Sequence, residues 1–405
     1  MAVTDTTSSR SNYGEVFDNG QFRTLFGTAV LAIAADTLRM VALSILVFKL
    51  TGSSFLSALT FGILFIPQVV GSTFFGALGD RCSPRRLVVT GFAIETVTGV
   101  FIGLTHLPIS VMLTLVAVNA AIIAAFAGSR ARIMARVLVG DAYVLGRSVL
   151  NVGASGAQLV GLASAGAAVA VVGARHALLV SAGAHFLSTV ASWLFLERDD
   201  DLEPLREQSK SVVRESLSGN RALLGMPRVR RAMLAQWLPP TFVAGAESLV
   251  VAFALRNGLG NQAPGLLLAG YPVGMIIGDV VVGRFLTPHR REQLVAPLTV
   301  LMGVPLVVFA LHPSFVVSLV AILLSGVGCA SALGMQRRFI EAVPDSYRGQ
   351  AFGLLGTGLM TVQGLGALMA GVVSEFFDVG ITMAIFGALT GMVVAAWLWA
   401  SLLRE

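Results

Sequence analysis

The sequence predicts an all-α membrane protein of twelve transmembrane helices, arranged as two six-helix bundles related by pseudo-two-fold symmetry. Three observations predict it. The chain has 405 residues, is 55% hydrophobic and only 12% charged, and has a mean hydropathy of +0.82; soluble proteins carry roughly 25% charged residues. Twelve apolar segments approach the length of about 20 residues needed to cross a hydrocarbon core. The second half also repeats the first at an offset of 205 residues: Pro67/Pro272, Arg85/Arg290, Arg86/Arg291, Pro108/Pro313, Arg132/Arg337, Gly153/Gly358, Gln158/Gln363, Gly161/Gly366 and Gly166/Gly371. Shared glycines, prolines and arginines fix close contacts, kinks and loop sides, so they outweigh shared leucines. Two similar halves in one membrane protein usually flank a binding site near the midplane.

The elements follow in order. A polar tail, 1–21, lacks the basic-then-apolar order of a cleaved signal, so the first span, 22–48, is expected to direct insertion. Spans at 55–79, 87–105, 109–128, 148–173 and 176–196 complete an N-terminal bundle over 22–196. The connector 197–231 mixes Glu197, Asp199, Asp200 and Glu207 with Arg206, Lys210 and Arg214. That mixture marks a solvated linker, partly helical or a regulatory docking site. A second bundle over 232–405 holds spans at 232–255, 264–286, 293–311, 314–335, 349–375 and 380–403. Pro67, Pro272 and the Pro239-Pro240 pair are expected to interrupt the second, eighth and seventh spans, either as bending points or as static curvature.

Basic residues set the orientation. With the N-terminus inside, 24 of the arginines and lysines fall on cytoplasmic segments, against Lys49, Arg175 and Arg256 outside and Arg39 within the first span. Both termini are then cytoplasmic, as an even number of spans requires, in a cell inner (plasma) membrane. The net charge of +6 is dispersed over several loops, which argues against nucleic acid as partner. Two cysteines, Cys82 and Cys329, do not make a disulfide framework.

Glycine concentrates in the fifth span (Gly153, Gly156, Gly161, Gly166) and the eleventh (Gly353, Gly356, Gly358, Gly364, Gly366, Gly371). Small residues let membrane helices approach closely, and the repetition suggests that these two spans meet across the pseudo-two-fold interface.

After the second span the chain reads Gly76-Ala77-Leu78-Gly79-Asp80-Arg81-Cys82-Ser83-Pro84-Arg85-Arg86. This run resembles the loop signature of the major facilitator superfamily. The Thr51-Gly52-Ser53 exit and the arginine-rich loop after the fourth span are similar to its bacterial drug, macrolide and siderophore exporter branch. The resemblance implies a cytoplasmic gate built from Gly76, Gly79, Asp80, Arg81, Arg85 and Arg86, with Arg130 as the partner of Asp80; alternatively these residues only anchor the loop. Phe285 replaces Asp80 in the second half, where Asp279 and Arg284 are candidate substitutes. The fifth span lacks the Gly-Pro pair of the family's proton-driven drug antiporters, and the fourth has Asn119 with no arginine before Arg130.

An ionisable group at a span's centre costs about 2.5–3.5 kcal/mol to insert. Asp36 and Arg39 share a face of the first span at i,i+3 spacing, as cavity groups or as a static ion pair. Glu95 in the third span and Glu247 in the seventh lack in-helix partners and are the expected proton carriers. Their first-half chemistry is not repeated: Thr241 stands for Asp36 and Val300 for Glu95. Gln158 and Gln363 are candidates to bind substrate from opposite sides, or to bond between helices. His185 is a relay candidate but more readily a packed residue.

The chain has only two lysines, Lys49 and Lys210, and no phosphate-cradling loop, which excludes ATP-driven pumping by this chain. No catalytic motif and no metal-ligand spacing is present. The expected protein is therefore not an enzyme and needs no cofactor beyond a proton gradient. It is a monomeric secondary transporter exporting small amphipathic compounds by proton antiport. Uptake or facilitated diffusion is the alternative, ahead of a transport-inactive sensor or a membrane enzyme.

Overall fold

The computed structural model describes residues 13–69, 71, 83–139, 141–197, 218–344 and 347–402, and these contain helix and connectors but no strand. Helix α1 is Gly20–Thr51; Asn19 caps it by accepting from Phe22 N, and Gly52 ends it with φ of 67°, a left-handed value that glycine adopts without strain. Helix α2 begins at Ser54–Gly62, α3 is Pro84–Leu104 and α4 is Ile109–Val137. The long element Asp141–Phe195 is two spans, α5 (141–172) and α6 (174–195), joined where Gly173 takes φ of 81°. The second half gives α7 (Pro227–Ser248, continued by Val250–Arg256), α8 (Ala263–Phe285) and α9 (Val295–Gly303, continued as a 3-10 turn over Val304–Leu311). It closes with α10 (Phe315–Gly328 and Ser331–Ala342), α11 (Arg348–Val373) and α12 (Val379–Leu402).

Among the described residues seven helical stretches are long and apolar enough to cross a membrane, four more are shorter but apolar, and the division at Gly173 brings these spans to twelve. The order recurs at the predicted offset: Ile109–Val137 reappears as Phe315–Ala342 and Gly20–Thr51 as Pro227–Arg256. Helix breaks differ from expectation. The chain is non-helical over 63–65, one turn before Pro67, because proline cannot donate to the carbonyl four residues back. Helices α7 and α8 run on through Pro239, Pro240 and Pro272, and α7 is interrupted instead at Leu249. The last turns of the expected linker, 218–225, are helical.

The predicted glycines explain the packing, with one correction. A Cβ at Gly153 would meet Phe26 and Val30 of α1, and one at Gly161 the Ala34 carbonyl and Thr37. Gly358 and Gly366 repeat this against Trp237 and the Thr241 carbonyl of α7. Gly166 lies against the Gln262 carbonyl at the head of α8, while Gly371 lies against Phe55 and Ala58 of α2. Helices α5 and α11 therefore do not pair with each other. Each packs on the second-type span of the opposite half, which is what two-fold exchange of one contact produces. By contrast Gly156, Gly353 and Gly356 have open space beside them.

This contrast makes a stability prediction. In detergent, Gly366→Val is expected to lower the melting temperature clearly, since its Cβ has backbone on that side. Gly356→Ala should leave it unchanged or raise it, being worth about 0.5–1 kcal/mol of helix propensity. Equal shifts for both would contradict the packing.

Candidate functional site

Four helices of the N-terminal half converge on one charged cluster. Arg39 of α1, 5% exposed, donates through Nη2 to Asp36 Oδ1 at 2.9 Å, one turn back on the same helix. Its Nη1 donates to Glu95 Oε2 of α3. Asn119 of α4 donates Nδ2 to that same oxygen at 3.0 Å. His185 of α6 is 1% exposed; its Nε2 lies 3.2 Å from Asp36 Oδ1 and 4.0 Å from Glu95 Oε2, off the line of a hydrogen bond. Arg130 of α4 sits 5.7 Å over the Phe92 ring and joins Asp36, Glu95 and His185 in lining a cavity of about 80 Å³. The rest of that wall is apolar, including Ile33, Leu87, Val88 and Ile123.

The burial is uneven. The Glu95 side chain is 5% exposed, but that of Asp36 is 44% exposed. One carboxylate is therefore locked between Arg39 and Asn119, and the other is half open. Two acids face two guanidiniums, so the cluster is close to neutral as a unit, which lets it persist at membrane depth. Ligand atoms of Asp36, Glu95 and His185 lie within 4.8 Å of one another. Arg39 already occupies both carboxylates and Arg130 adds a second positive charge, so the set suits a proton better than a metal ion. A space of this size with four polar groups on its wall suits water.

The expected i,i+3 ion pair forms, and Glu95 has a cross-helix partner that spacing alone could not reveal. Sequence reasoning ranked His185 as a packed residue and noted Asn119 only for what it was not. Each is a polar residue within an N-half span that the 205 offset does not repeat, with Leu324 standing for Asn119 and Thr390 for His185. That asymmetry, already visible for Asp36 and Glu95, was the available signal. Glu247 of α7 is partly buried and joins no such cluster among the described residues; nearby, the Tyr271 hydroxyl and Cys329 thiol lie 2.8 Å apart. Gln158 is exposed and Gln363 half-buried, and neither bonds between helices among the described residues.

Of the expected gate, Gly76, Gly79, Asp80 and Arg81 lie outside the described residues. Arg85 donates to the Trp193 carbonyl and Arg86 is exposed. Arg291, the second-half equivalent of Arg86, donates to the Val282 and Leu286 carbonyls at 3.2 and 3.0 Å, anchoring the end of α8. Asp279 and Arg284 are exposed and unpaired among the described residues. At this end of the second half Glu292 instead pairs with Arg337 at 3.5 Å and with Arg338 at 3.8 Å.

A family model described as the Major Facilitator Superfamily matches residues 25–257 and 241–405. No curated protein matches the chain in sequence. Among solved structures, the chain is similar to a POT family transporter in complex with a thioalcohol-conjugated peptide, at TM-score 0.73 and 10% identity, covering 94% of this chain and 96% of that one. It is similar to the nucleoside transporter NupG at TM-score 0.70 and 12% identity, covering 93% and 99%. A POT family transporter in complex with 5-aminolevulinic acid gives TM-score 0.72 at 10% identity, covering 93% and 95%. At these identities the likeness is one of fold.

Proposed function

The chain belongs to the major facilitator superfamily, and from that premise we propose that it is a proton-coupled secondary transporter exporting small amphipathic compounds. The carrying observation is the Asp36–Arg39–Glu95–His185 cluster, buried in one half only and open at Asp36. Symmetric halves suffice for rocking; an asymmetric set of titratable groups is what coupling to an ion needs.

Asp36 is the proton acceptor in this reading, because Glu95 Oε2 is already shared by Arg39 and Asn119. A proton on Asp36 removes one of the two charges holding Arg39, and that changes the tie among α1, α3, α4 and α6. His185, between the two carboxylates, offers a path for the proton onward. The amphipathic cargo is proposed from the few polar and many apolar side chains of the spans. Gln158 and Gln363 remain its candidate hydrogen-bonding partners, and Glu247 a second carboxylate in the opposite half.

The conformation supports alternating access. The end assigned by the arginine distribution to the outside is closed: Arg256 Nη2 donates to the Gly52 carbonyl at 3.3 Å, and Glu375 Oε1 accepts from Ser53 Oγ at 3.2 Å. In this reading the tied outer end belongs to the inward-facing member of the alternating-access pair.

The test uses inside-out vesicles loaded by dilution into a fluorescent amphipathic cation, with and without an imposed proton gradient. Accumulation that collapses with an uncoupler supports export. Equilibration indifferent to the gradient would replace the proposal with facilitated diffusion, and gradient-driven loss of dye with uptake.

A further inference from the structure

We infer that the outer end of the C-terminal half carries a proton-operated clasp, in which His312 binds together the two connectors that lock this half onto the other. The inference rests on the alternating-access reading above. The lock has two parts, both between halves. Arg256, at the end of α7, donates to the Gly52 carbonyl at 3.3 Å and lies 5.8 Å over the Phe48 ring. Glu375, after α11, accepts from Ser53 Oγ and from Phe55 N at 3.3 Å, placing a carboxylate at the N-terminus of α2, where the helix dipole favours it.

His312 stands in the α9–α10 connector and reaches both connectors that carry these residues. Its Nδ1 is 3.0 Å from Asn257 Oδ1, and Asn257 adjoins Arg256. Its Nε2 is 3.4 Å from Asp378 Oδ1, three residues beyond Glu375. Its ring stacks 6.3 Å from Phe253, which packs in turn on Phe309. The backbone takes φ of 48°, the one positive φ at a non-glycine among the described residues. Such a conformation persists only where the surroundings hold it, and it clusters at functional positions.

The partners decide what each ring nitrogen faces. Asn257 Nδ2 donates to the Phe253 carbonyl at 2.9 Å, so the amide oxygen is the atom turned to the ring. Asp378 Oδ1 accepts from Gly380 N at 2.8 Å and is an acceptor toward Nε2 as well. Both ring nitrogens therefore face acceptors, and only the imidazolium has two N–H groups to give. A neutral ring would set one lone pair against an oxygen. The charged or titratable group facing His312 from the α11–α12 connector is Asp378. From α7 it meets only Asn257 and Phe253, since Arg256 is turned to Gly52, and Glu375 is turned to Ser53.

Histidine changes charge between about pH 5 and 8. The sign follows: the clasp is complete with the ring protonated and is lost as the pH on that side rises. In an antiporter driven by an acid exterior, proton arrival would then close the outer end after cargo has left and return the protein to its inward-facing form.

The experiment measures the outer separation of the halves in the full chain in lipid nanodiscs. Spin labels are placed by Leu50→Cys and Phe376→Cys, both exposed sites, with Cys82 and Cys329 replaced by serine. Between about pH 5 and 9 the ratio of closed to open populations should fall about two- to fivefold, as loss of one half-exposed ion pair implies. His312→Gln should flatten this dependence. Asp378→Asn should do the same while keeping an oxygen for Gly380 N, and His312→Arg should hold the closed form throughout. A parent without pH response, or a response that survives in both His312→Gln and Asp378→Asn, overturns the clasp. Neither result would alter the dye flux by which the transport proposal is judged.

Discussion

Arg39→Met is expected to be the most damaging single substitution in the N-terminal half, costing about 3–5 kcal/mol and lowering folded yield as well as melting temperature. Arg39 bridges Asp36 and Glu95, so its removal leaves two like charges close together with Asn119 as the nearest remaining donor to Glu95. Methionine fills the space of the alkyl stem, so the loss measures charge rather than packing. Arg39→Lys should restore part of it only, since an ammonium lacks the planar fork that engages two carboxylates at once. The double substitution Arg39→Met with Glu95→Gln should recover much of the stability of Arg39→Met alone, because the deeply buried acid no longer needs a cation. Thermal unfolding of the four proteins in one detergent closes that cycle. Additive losses would mean that the two residues are not coupled and that the cluster has another arrangement.

Much of the architecture was legible because a tandem repeat writes each structural decision twice. Gly161 and Gly366 could be identified as contact positions before any contact was known, and both press on the first span of their own half. What sequence could not supply was the partner of a contact. Gly166 and Gly371 looked like surfaces for each other, yet each serves the opposite half's second-type span; periodicity gives a helix face but not the neighbour across it. Proline had the same limit. Pro67 lies just beyond a break and Pro272 within a continuous helix, because the cost of one missing bond can be absorbed by the surrounding bundle.

The site divides along the same line. Asp36 and Arg39 sit three residues apart, so helical geometry alone brings them together. Arg39 and Glu95 are 56 residues apart, and His185 comes from the far end of the half. Their meeting depends on how α1, α3 and α6 cross, which local pattern does not encode. Arg130 adds a position that spacing did not reveal. Family resemblance gives it to Asp80, which lies outside the described residues, and its guanidinium also lies over Phe92 at the cavity shared with Asp36.

Asp36→Asn is expected to abolish gradient-driven accumulation while leaving a folded carrier. A one-for-one exchange against one pH unit sustains about a tenfold concentration ratio; without a proton to exchange, the ratio should fall to one. Folding should survive, because Arg39 keeps Glu95 and the asparagine amide oxygen can still accept from Nη2. Glu95→Gln is the informative comparison. It removes the buried acid but retains an oxygen for Arg39 and Asn119, so the exposed acid next to the cavity remains available for exchange. Energised accumulation and unenergised counterflow are then measured for both variants in the same vesicles. Asp36→Asn should keep counterflow and lose accumulation, and Glu95→Gln should keep more of both. Accumulation undiminished in Asp36→Asn but lost in Glu95→Gln would transfer the proton to the inner carboxylate, which also lines the cavity. Undiminished accumulation in both would remove the cluster from coupling and leave Glu247, alone on α7, as the membrane acid to test next.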